Sequence, residues 1–165
     1  MFYIADRDIV EALKRADQKG VTIRMLLDPN KDAFGREKNG TPNRQVAHEL
    51  IQNSNGNTTI RWCDTHGEQC HSKLLLIETG EQVVMMQGSA NYTKRNLQDY
   101  NLETNVIITG KKSAQIFNDI EAFFETQWNN EENKFYSTVY ETYEDRSTYK
   151  TIVCRLKEFT GLSRW

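Results

Sequence analysis

HSKLLLIETGEQVVMMQGSAN, at residues 71–91, carries the strongest structural signal in this chain of 165 residues. Two apolar runs, at 70–77 and 81–87, flank the pair Thr79-Gly80, which is typical of a tight turn between antiparallel strands. The segment therefore predicts a β-hairpin. The hairpin begins with a histidine and a lysine two residues apart and ends in a Gly-Ser-x-Asn turn.

Helical and extended patterns alternate on either side of this hairpin. Apolar residues at helical spacing predict helices after Asp6 or Asp8, after Asn43, and over residues 111–128. Alternating apolar residues predict strands at 21–28, 58–64 and 101–108, and a long polar loop is predicted at 28–43. Strands that alternate with helices, together with one antiparallel hairpin, predict a three-layer α/β/α sandwich with a mixed β-sheet.

The predicted core ends near Trp128. We expect a lobe at residues 1–128 that carries the hairpin, and a C-terminal extension at 129–165 that packs on this lobe. The extension is rich in tyrosine and charge and contains one further helical pattern. The first residues resemble the end of a buried strand, so we expect the chain to be one half of a longer protein.

Composition restricts the cellular setting. The formal net charge is -2, which removes the overall attraction to nucleic acid or anionic lipid that a basic chain has. No apolar run reaches the length of roughly 20 residues that spans a bilayer, and no signal peptide is apparent. We therefore expect a protein that is cytoplasmic or peripheral to the membrane. The odd number of cysteines, three, predicts reduced thiols.

The hairpin brings together groups that suit phosphoryl chemistry. Residues two apart in an extended strand share a face, so His71 and Lys73 are predicted to project together. A neutral imidazole can attack phosphorus, and an ammonium group can offset the charge of the non-bridging oxygens. These two residues are the predicted catalytic pair.

The end of the hairpin and the next predicted strand supply further groups. Ser89 and Asn91 can donate hydrogen bonds to the oxygens of the same phosphate, and Gly88 lets the backbone approach closely. Glu103 can accept a proton from the second ring nitrogen of His71 and so fix its tautomer. Glu78 lies an odd number of residues from His71 and is predicted to face away from the phosphate.

These residues resemble the signature of the phospholipase D superfamily, H-x-K-x4-D-x6-G-S-x-N. The matching positions are His71, Lys73, Gly88, Ser89 and Asn91. Glu78 stands where the family has aspartate. The likeness extends over about residues 3–128, and the nearest resemblance is to bacterial phospholipase D-like and cardiolipin synthase-like proteins.

The resemblance implies phosphodiester hydrolysis or phosphatidyl transfer through a phosphohistidine intermediate, without a metal or other cofactor. It also implies that a second H-x-K lobe completes the active site, either in the same longer chain or in a homodimer partner. This chain has one such motif, because neither His48 nor His66 has a lysine two residues later. We expect the chain to be a C-terminal half that acts on a phosphodiester, preferably a phospholipid.

Three alternatives are weighed beside this interpretation. A nuclease-like homodimer would use the same chemistry on nucleic acid, but the net charge disfavours it. A non-catalytic binding or assembly lobe is compatible with a single motif. A zinc site is disfavoured by the irregular spacing of its four candidate ligands, which are Cys63, His66, Cys70 and His71.

Overall fold

Helix α1 (Arg7–Gln18) opens the fold of the computed structural model, which describes residues 1–33, 36–98 and 100–161. The Asp6 carboxylate caps this helix by accepting a 3.1 Å hydrogen bond from the backbone N–H of Ile9. The side chain of Val10 is buried on the inner face. The predicted first helix is confirmed, with Asp6 rather than Asp8 as its cap.

The first sheet, which is mixed, places two parallel strands beside an antiparallel one. Strand β1 (Ile23–Leu27) pairs with β4 (Thr58–Cys63) in parallel, and helix α2 (Asn43–Gln52) lies between them in the chain. Strand β8 (Ser137–Val139) pairs antiparallel with β4. This third strand comes from the predicted C-terminal extension and was not anticipated from the sequence.

The predicted loop at 28–43 contains a short antiparallel pair, β2 (Asp32–Ala33) and β3 (Arg36–Glu37). The prediction that Asn43 caps α2 from outside is wrong, because Asn43 is the first residue of that helix. Its buried side chain instead accepts a 2.9 Å hydrogen bond from the N–H of Ile4 and donates to the carbonyls of Phe2 and Asp28. Asn43 thereby joins three segments of the chain.

The second sheet is antiparallel and contains the predicted hairpin. Strand β5 (Leu74–Thr79) pairs with β6 (Gln82–Gly88), which in turn pairs with β7 (Asn105–Lys111). The hairpin is confirmed, and Gly80 occupies its turn with φ of +59°. Strand β5 begins at Leu74 rather than at the predicted Cys70, so His71 and Lys73 precede the strand. The short helix α3 (Lys94–Leu97) lies between β6 and β7.

Two apolar clusters hold the layers together. Helices α1 and α2 pack on the first sheet through the larger cluster, which consists of Ile4, Val10, Leu27, Val46, Ala47, Leu50, Ile60, Trp62, Tyr92 and Tyr140. Leu75 and Met86 of the second sheet pack against the same cluster. Helix α4 (Gln115–Asn129) covers the other face of that sheet with Phe117, which packs on Val83 and Met85. The α/β class is confirmed, with the strands divided between two sheets.

Residues beyond 128 contribute to the core as well as to the surface. Tyr140 belongs to the larger cluster, and its carbonyl accepts a 2.7 Å hydrogen bond from the indole N–H of the fully buried Trp62. Helix α5 (Thr148–Thr160) packs near α2. Among the described residues, no helix combines the length and the apolar character needed to cross a bilayer.

Glu49 of α2 binds three elements of the fold to one another. Its carboxylate accepts hydrogen bonds of 2.7 and 2.8 Å from Arg7 of α1 and forms a 3.2 Å ion pair with Arg155 of α5. Burial by itself raises the pKa of Glu49, but the hydrogen bonds and charges of the two arginines outweigh this and lower it to about 2. The ionised form is therefore favoured in the folded state.

Folding stability is expected to fall as the pH drops from about 4.5 to 2, because a depressed folded-state pKa stabilises the protein only while the carboxylate stays ionised. The Glu49→Gln variant is expected to be less stable at pH 7 and to lose less stability over this acidic range. Urea unfolding at several pH values measures both effects. Parallel pH profiles for the two proteins would contradict the prediction.

Candidate active site

Lys73 is the buried centre of the predicted site. Only 4% of this residue is exposed, and its Nζ lies 3.0 Å from Nδ1 and 3.2 Å from Nε2 of His71. The same Nζ donates a 2.8 Å hydrogen bond to the His71 carbonyl and lies 5.3 Å from the ring centroid of Phe2. The predicted pair of imidazole and ammonium is thus brought together, although by the segment preceding β5 and not by strand alternation.

His71 remains accessible to solvent while Phe2 packs against it, with the ring centroids 4.8 Å apart. Partial burial lowers the pKa of His71, the ammonium group of Lys73 lowers it further, and the Asp28 carboxylate opposes this change. A lowered pKa favours the neutral imidazole near pH 7, which is the form that has a lone pair for nucleophilic attack.

The Gly-Ser-x-Asn turn adjoins this pair through the backbone. The N–H of Gly88 donates a 3.4 Å hydrogen bond to the Lys73 carbonyl. A Cβ atom at position 88 would lie 2.2 Å from the Thr104 carbonyl oxygen and 2.6 Å from the Cα of Asn105. Glycine is therefore required here by the close approach of β7, in addition to any approach of a phosphate.

Ser89 is exposed, and its hydroxyl contacts the residues that directly precede β7. Its hydroxyl donates a short hydrogen bond to the Glu103 carboxylate and accepts a 3.0 Å bond from the N–H of Thr104. Asn91, also predicted to bind phosphate, uses its Oδ1 to accept a 3.2 Å hydrogen bond from the N–H of Tyr3. Both side chains are therefore held in place from two sides of the turn.

Glu103 is predicted to orient the ring of His71, but its contacts in this structure differ. Within the described part of the chain, its hydrogen bonds come from Ser89 and from the side-chain amide of Asn96, and none comes from His71. Burial lowers the pKa of Lys73, and the charge of Glu103 opposes that change. Glu103 therefore acts electrostatically on Lys73 and through a hydrogen bond on Ser89.

Glu78 lies away from these groups, at the far end of the hairpin. It pairs with Val83 across the hairpin, and its carboxylate forms an ion pair with Lys112. Nine residues, 79–87, separate it from Gly88, whereas the phospholipase D signature has six. The spacing between the two halves of the signature is thus longer here, and the additional residues lie within the hairpin.

One residue that supports the site, Asp28, was not predicted from the sequence to do so. Asp28 directly follows β1, and its buried carboxylate accepts 2.7 Å hydrogen bonds from the N–H groups of Cys70 and Asn30. It therefore fixes the backbone immediately before His71. Asp28 lies at the carboxyl end of a parallel strand, which is the edge where α/β proteins bind ligands. This position in the sequence could have indicated its role.

A disulfide bond joins Cys63, the last residue of β4, to Cys70. The expectation of three reduced thiols is therefore wrong for this pair, whose Cα atoms lie 6.2 Å apart, within the usual range for a disulfide. Cys154 is buried and free. No group of three or more His, Cys, Asp or Glu residues suited to a metal ion occurs among the described residues, and His66 lies in an exposed turn beside Asp64 and Glu68.

A comparison with known protein families finds a match that covers residues 1–128. A family model described as "Cardiolipin synthase, PLD-like domain" matches residues 1–128. No curated protein matches the chain. The matched region contains the hairpin, the Gly-Ser-x-Asn turn and Glu103, and it covers well over half of the sequence. This chain therefore belongs to the cardiolipin synthase PLD-like domain family, within the phospholipase D superfamily.

Proposed function

We propose that this chain is one lobe of a phosphodiesterase or phosphatidyltransferase that works through a phosphohistidine at His71. The observation that carries the proposal is the buried ammonium group of Lys73, which lies within 3.2 Å of both ring nitrogens of His71. Burial of a cation is costly unless it has partners, and the ring, the His71 carbonyl and Phe2 supply only part of that compensation. A phosphate group at this position would supply the missing negative charge.

The first step forms one bond and breaks another. A ring nitrogen of neutral His71 attacks phosphorus, the P–N bond forms, and the P–O bond to one alcohol breaks. Lys73 stabilises the charge that develops on the non-bridging oxygens. The leaving alkoxide takes a proton from an acid in a second lobe, for which a histidine of a second H-x-K motif is the chemically matched group.

The second step reverses this chemistry with a different alcohol or with water. The incoming hydroxyl gives its proton to the group that acted as acid, its oxygen attacks phosphorus, and the P–N bond breaks. Water yields hydrolysis, and an alcohol yields transfer. The second lobe is either another part of a longer chain or a second copy, and the residues of this lobe act in the same way in both arrangements.

Ser89 and Glu103 have a further role in this scheme. The Ser89 hydroxyl donates a hydrogen bond to the Glu103 carboxylate. A bound phosphate oxygen would replace Glu103 as the acceptor, and the Glu103 carboxylate would then be released to accept from the N–H of His71. Asn91 would provide a second donor through its amide nitrogen. Substrate binding would thus complete the predicted contact between Glu103 and His71.

His71→Asn is expected to reduce turnover of bis(p-nitrophenyl) phosphate by about four orders of magnitude or more, because it removes the nucleophile. Assays of the chain together with its second lobe measure this loss. His66→Asn is the matched control, since it changes an exposed histidine outside the predicted site. Substrate labelled in its phosphate should also leave an acid-labile label on His71. Turnover that survives in His71→Asn would refute the assignment.

Glu103→Gln is expected to move the alkaline limb of the kcat/KM profile to lower pH. The Glu103 charge raises the pKa of Lys73, so its removal lowers that pKa and deprotonates Lys73 at a lower pH. NMR titration of the Lys73 ammonium group gives an independent measurement. Glu78→Gln, the same change beside Lys112, serves as the control. An equal shift in both variants, or no shift in either, would count against this role.

A further inference from the structure

Asp28 is a buried carboxylate that takes no part in the proposed proton and phosphoryl transfers. Only 1% of the residue is exposed. Its Oδ2 accepts a 2.7 Å hydrogen bond from the N–H of Cys70, and its Oδ1 accepts bonds of 2.7 and 3.2 Å from the backbone and side-chain N–H groups of Asn30. Burial raises the pKa of Asp28, but these hydrogen bonds are donated to the carboxylate and oppose that change. Neutral donors thus stabilise the ionised form.

Asn30 extends the reach of this carboxylate to the N-terminal segment. The bond from the Asn30 N–H to the side chain two residues earlier forms an Asx turn, and Asn30 lies in the left-handed region with φ of +47°. Its side-chain amide donates a 2.9 Å hydrogen bond to the Phe2 carbonyl, and its Oδ1 accepts a 3.1 Å bond from the N–H of Asn43. We term Asp28 and Asn30 together the brace.

The two ends of the brace meet on either side of His71. Asp28 holds the N–H of Cys70, the residue directly before the histidine. Asn30 holds the backbone of Phe2, whose ring lies 4.8 Å from the His71 ring and 5.3 Å from the Nζ of Lys73, measured between centroids and from the centroid. The brace therefore fixes both the backbone that carries the imidazole and the aromatic side chain that packs against it.

The charge of Asp28 also acts on the His71 ring. Burial lowers the pKa of His71, Lys73 lowers it further, and the Asp28 carboxylate raises it. When a ring nitrogen gives its lone pair to phosphorus, the ring keeps its other N–H and gains positive charge, which a fixed negative charge stabilises. The Asp28 charge acts on three further titratable groups, which are the Met1 amino group, the Tyr3 phenol and the Arg44 guanidinium.

We propose that Asp28 is a positioning residue for the nucleophile: with Asn30 it holds the surroundings of His71, and its buried charge stabilises the positive charge that develops on the ring as the P–N bond forms. This inference rests on the proposed function, because it assigns a role in attack by His71. The two carboxylates of the site then act on different groups, since the charge of Glu103 acts on Lys73 and that of Asp28 acts on the ring.

Asp28→Asn is expected to lower kcat by about tenfold or more and to leave KM within about twofold, because the charge acts on the ring and not on the substrate. The acidic limb of the kcat/KM profile should move to lower pH, since loss of the negative charge lowers the pKa of His71. NMR titration of the His71 ring measures that pKa without turnover. A ring pKa equal to that of the unchanged protein would overturn the proposal.

Asp17→Asn is the matched control. Asp17 is 2% exposed, and its carboxylate accepts 2.6 Å hydrogen bonds from the Ser54 hydroxyl, the Asn55 N–H and the Thr58 hydroxyl, near the start of β1 and β4. Its replacement should lower stability in urea without moving the acidic limb or the pKa of His71. An equal shift in both variants would overturn the proposal, since it would show a general effect of loosening the fold.

Asn30→Gly separates position from charge. Glycine adopts a φ of +47° freely, so the turn is retained, while the hydrogen bond to the Phe2 carbonyl is lost and the Asp28 charge stays. This variant is expected to lower kcat by about threefold or more with the acidic limb unchanged. It also tests the proposal if Asp28→Asn does not fold, because a kcat equal to that of the unchanged protein would overturn the positioning role.

The failure of this inference can be told apart from the failure of the proposed function. Turnover that persists in His71→Asn would reject the chemistry, and a lowered pKa of the ring in Asp28→Asn would still retain the contact between the brace and the histidine. Turnover that depends on His71, with identical pH profiles for Asp28→Asn and Asp17→Asn, would reject the brace and leave the chemistry at His71 unaffected.

Discussion

The close approach of β6 and β7 at Gly88 is the constraint on which the candidate site depends. Any side chain at this position would overlap the backbone of Thr104 and Asn105, so the two strands can pair fully only around a glycine. The pairing places Ser89 against Glu103 and Thr104, and the Gly88 N–H reaches the Lys73 carbonyl on the other side. One residue without a side chain thus connects all three parts of the site.

The candidate site also depends on the burial of Lys73 beside His71, which is accessible to solvent. A cation withdrawn from water loses hydration, and its pKa falls unless nearby groups stabilise the charge. Glu103 provides part of that stabilisation from the opposite side of the turn. Partial burial lowers the pKa of His71, and the adjacent cation lowers it further, which favours the neutral ring. Under the proposed function, this single buried charge would both favour the nucleophilic form of His71 and attract the anionic substrate.

The sequence predicted the parts of this structure that depend on local pattern. The hairpin and the first helix follow from short-range spacing, and each is found in the structure. His71 and Lys73 also meet, but through the segment before β5 and not through the strand alternation from which their contact was predicted. The sequence did not predict contacts between distant segments. The pairing of β8 with β4, the hydrogen bond from Cys70 to Asp28 and the Cys63–Cys70 bond all join residues that only the tertiary fold brings together. Strand β5 also begins later than its apolar pattern suggested, at Leu74, while the N–H of Cys70 is bonded to the Asp28 carboxylate.

The contacts of Glu103 with Ser89 and Asn96 are compatible with its predicted role at His71 if a phosphate takes over one of them. The exposed Ser89 hydroxyl donates a hydrogen bond to the Glu103 carboxylate. A phosphate bound at Lys73 would offer this hydroxyl another acceptor. The carboxylate would then need a new donor, and a histidine that carries phosphate on one nitrogen has an N–H on the other. In the proposed mechanism, this exchange of partners would link binding of the substrate to the orientation of His71.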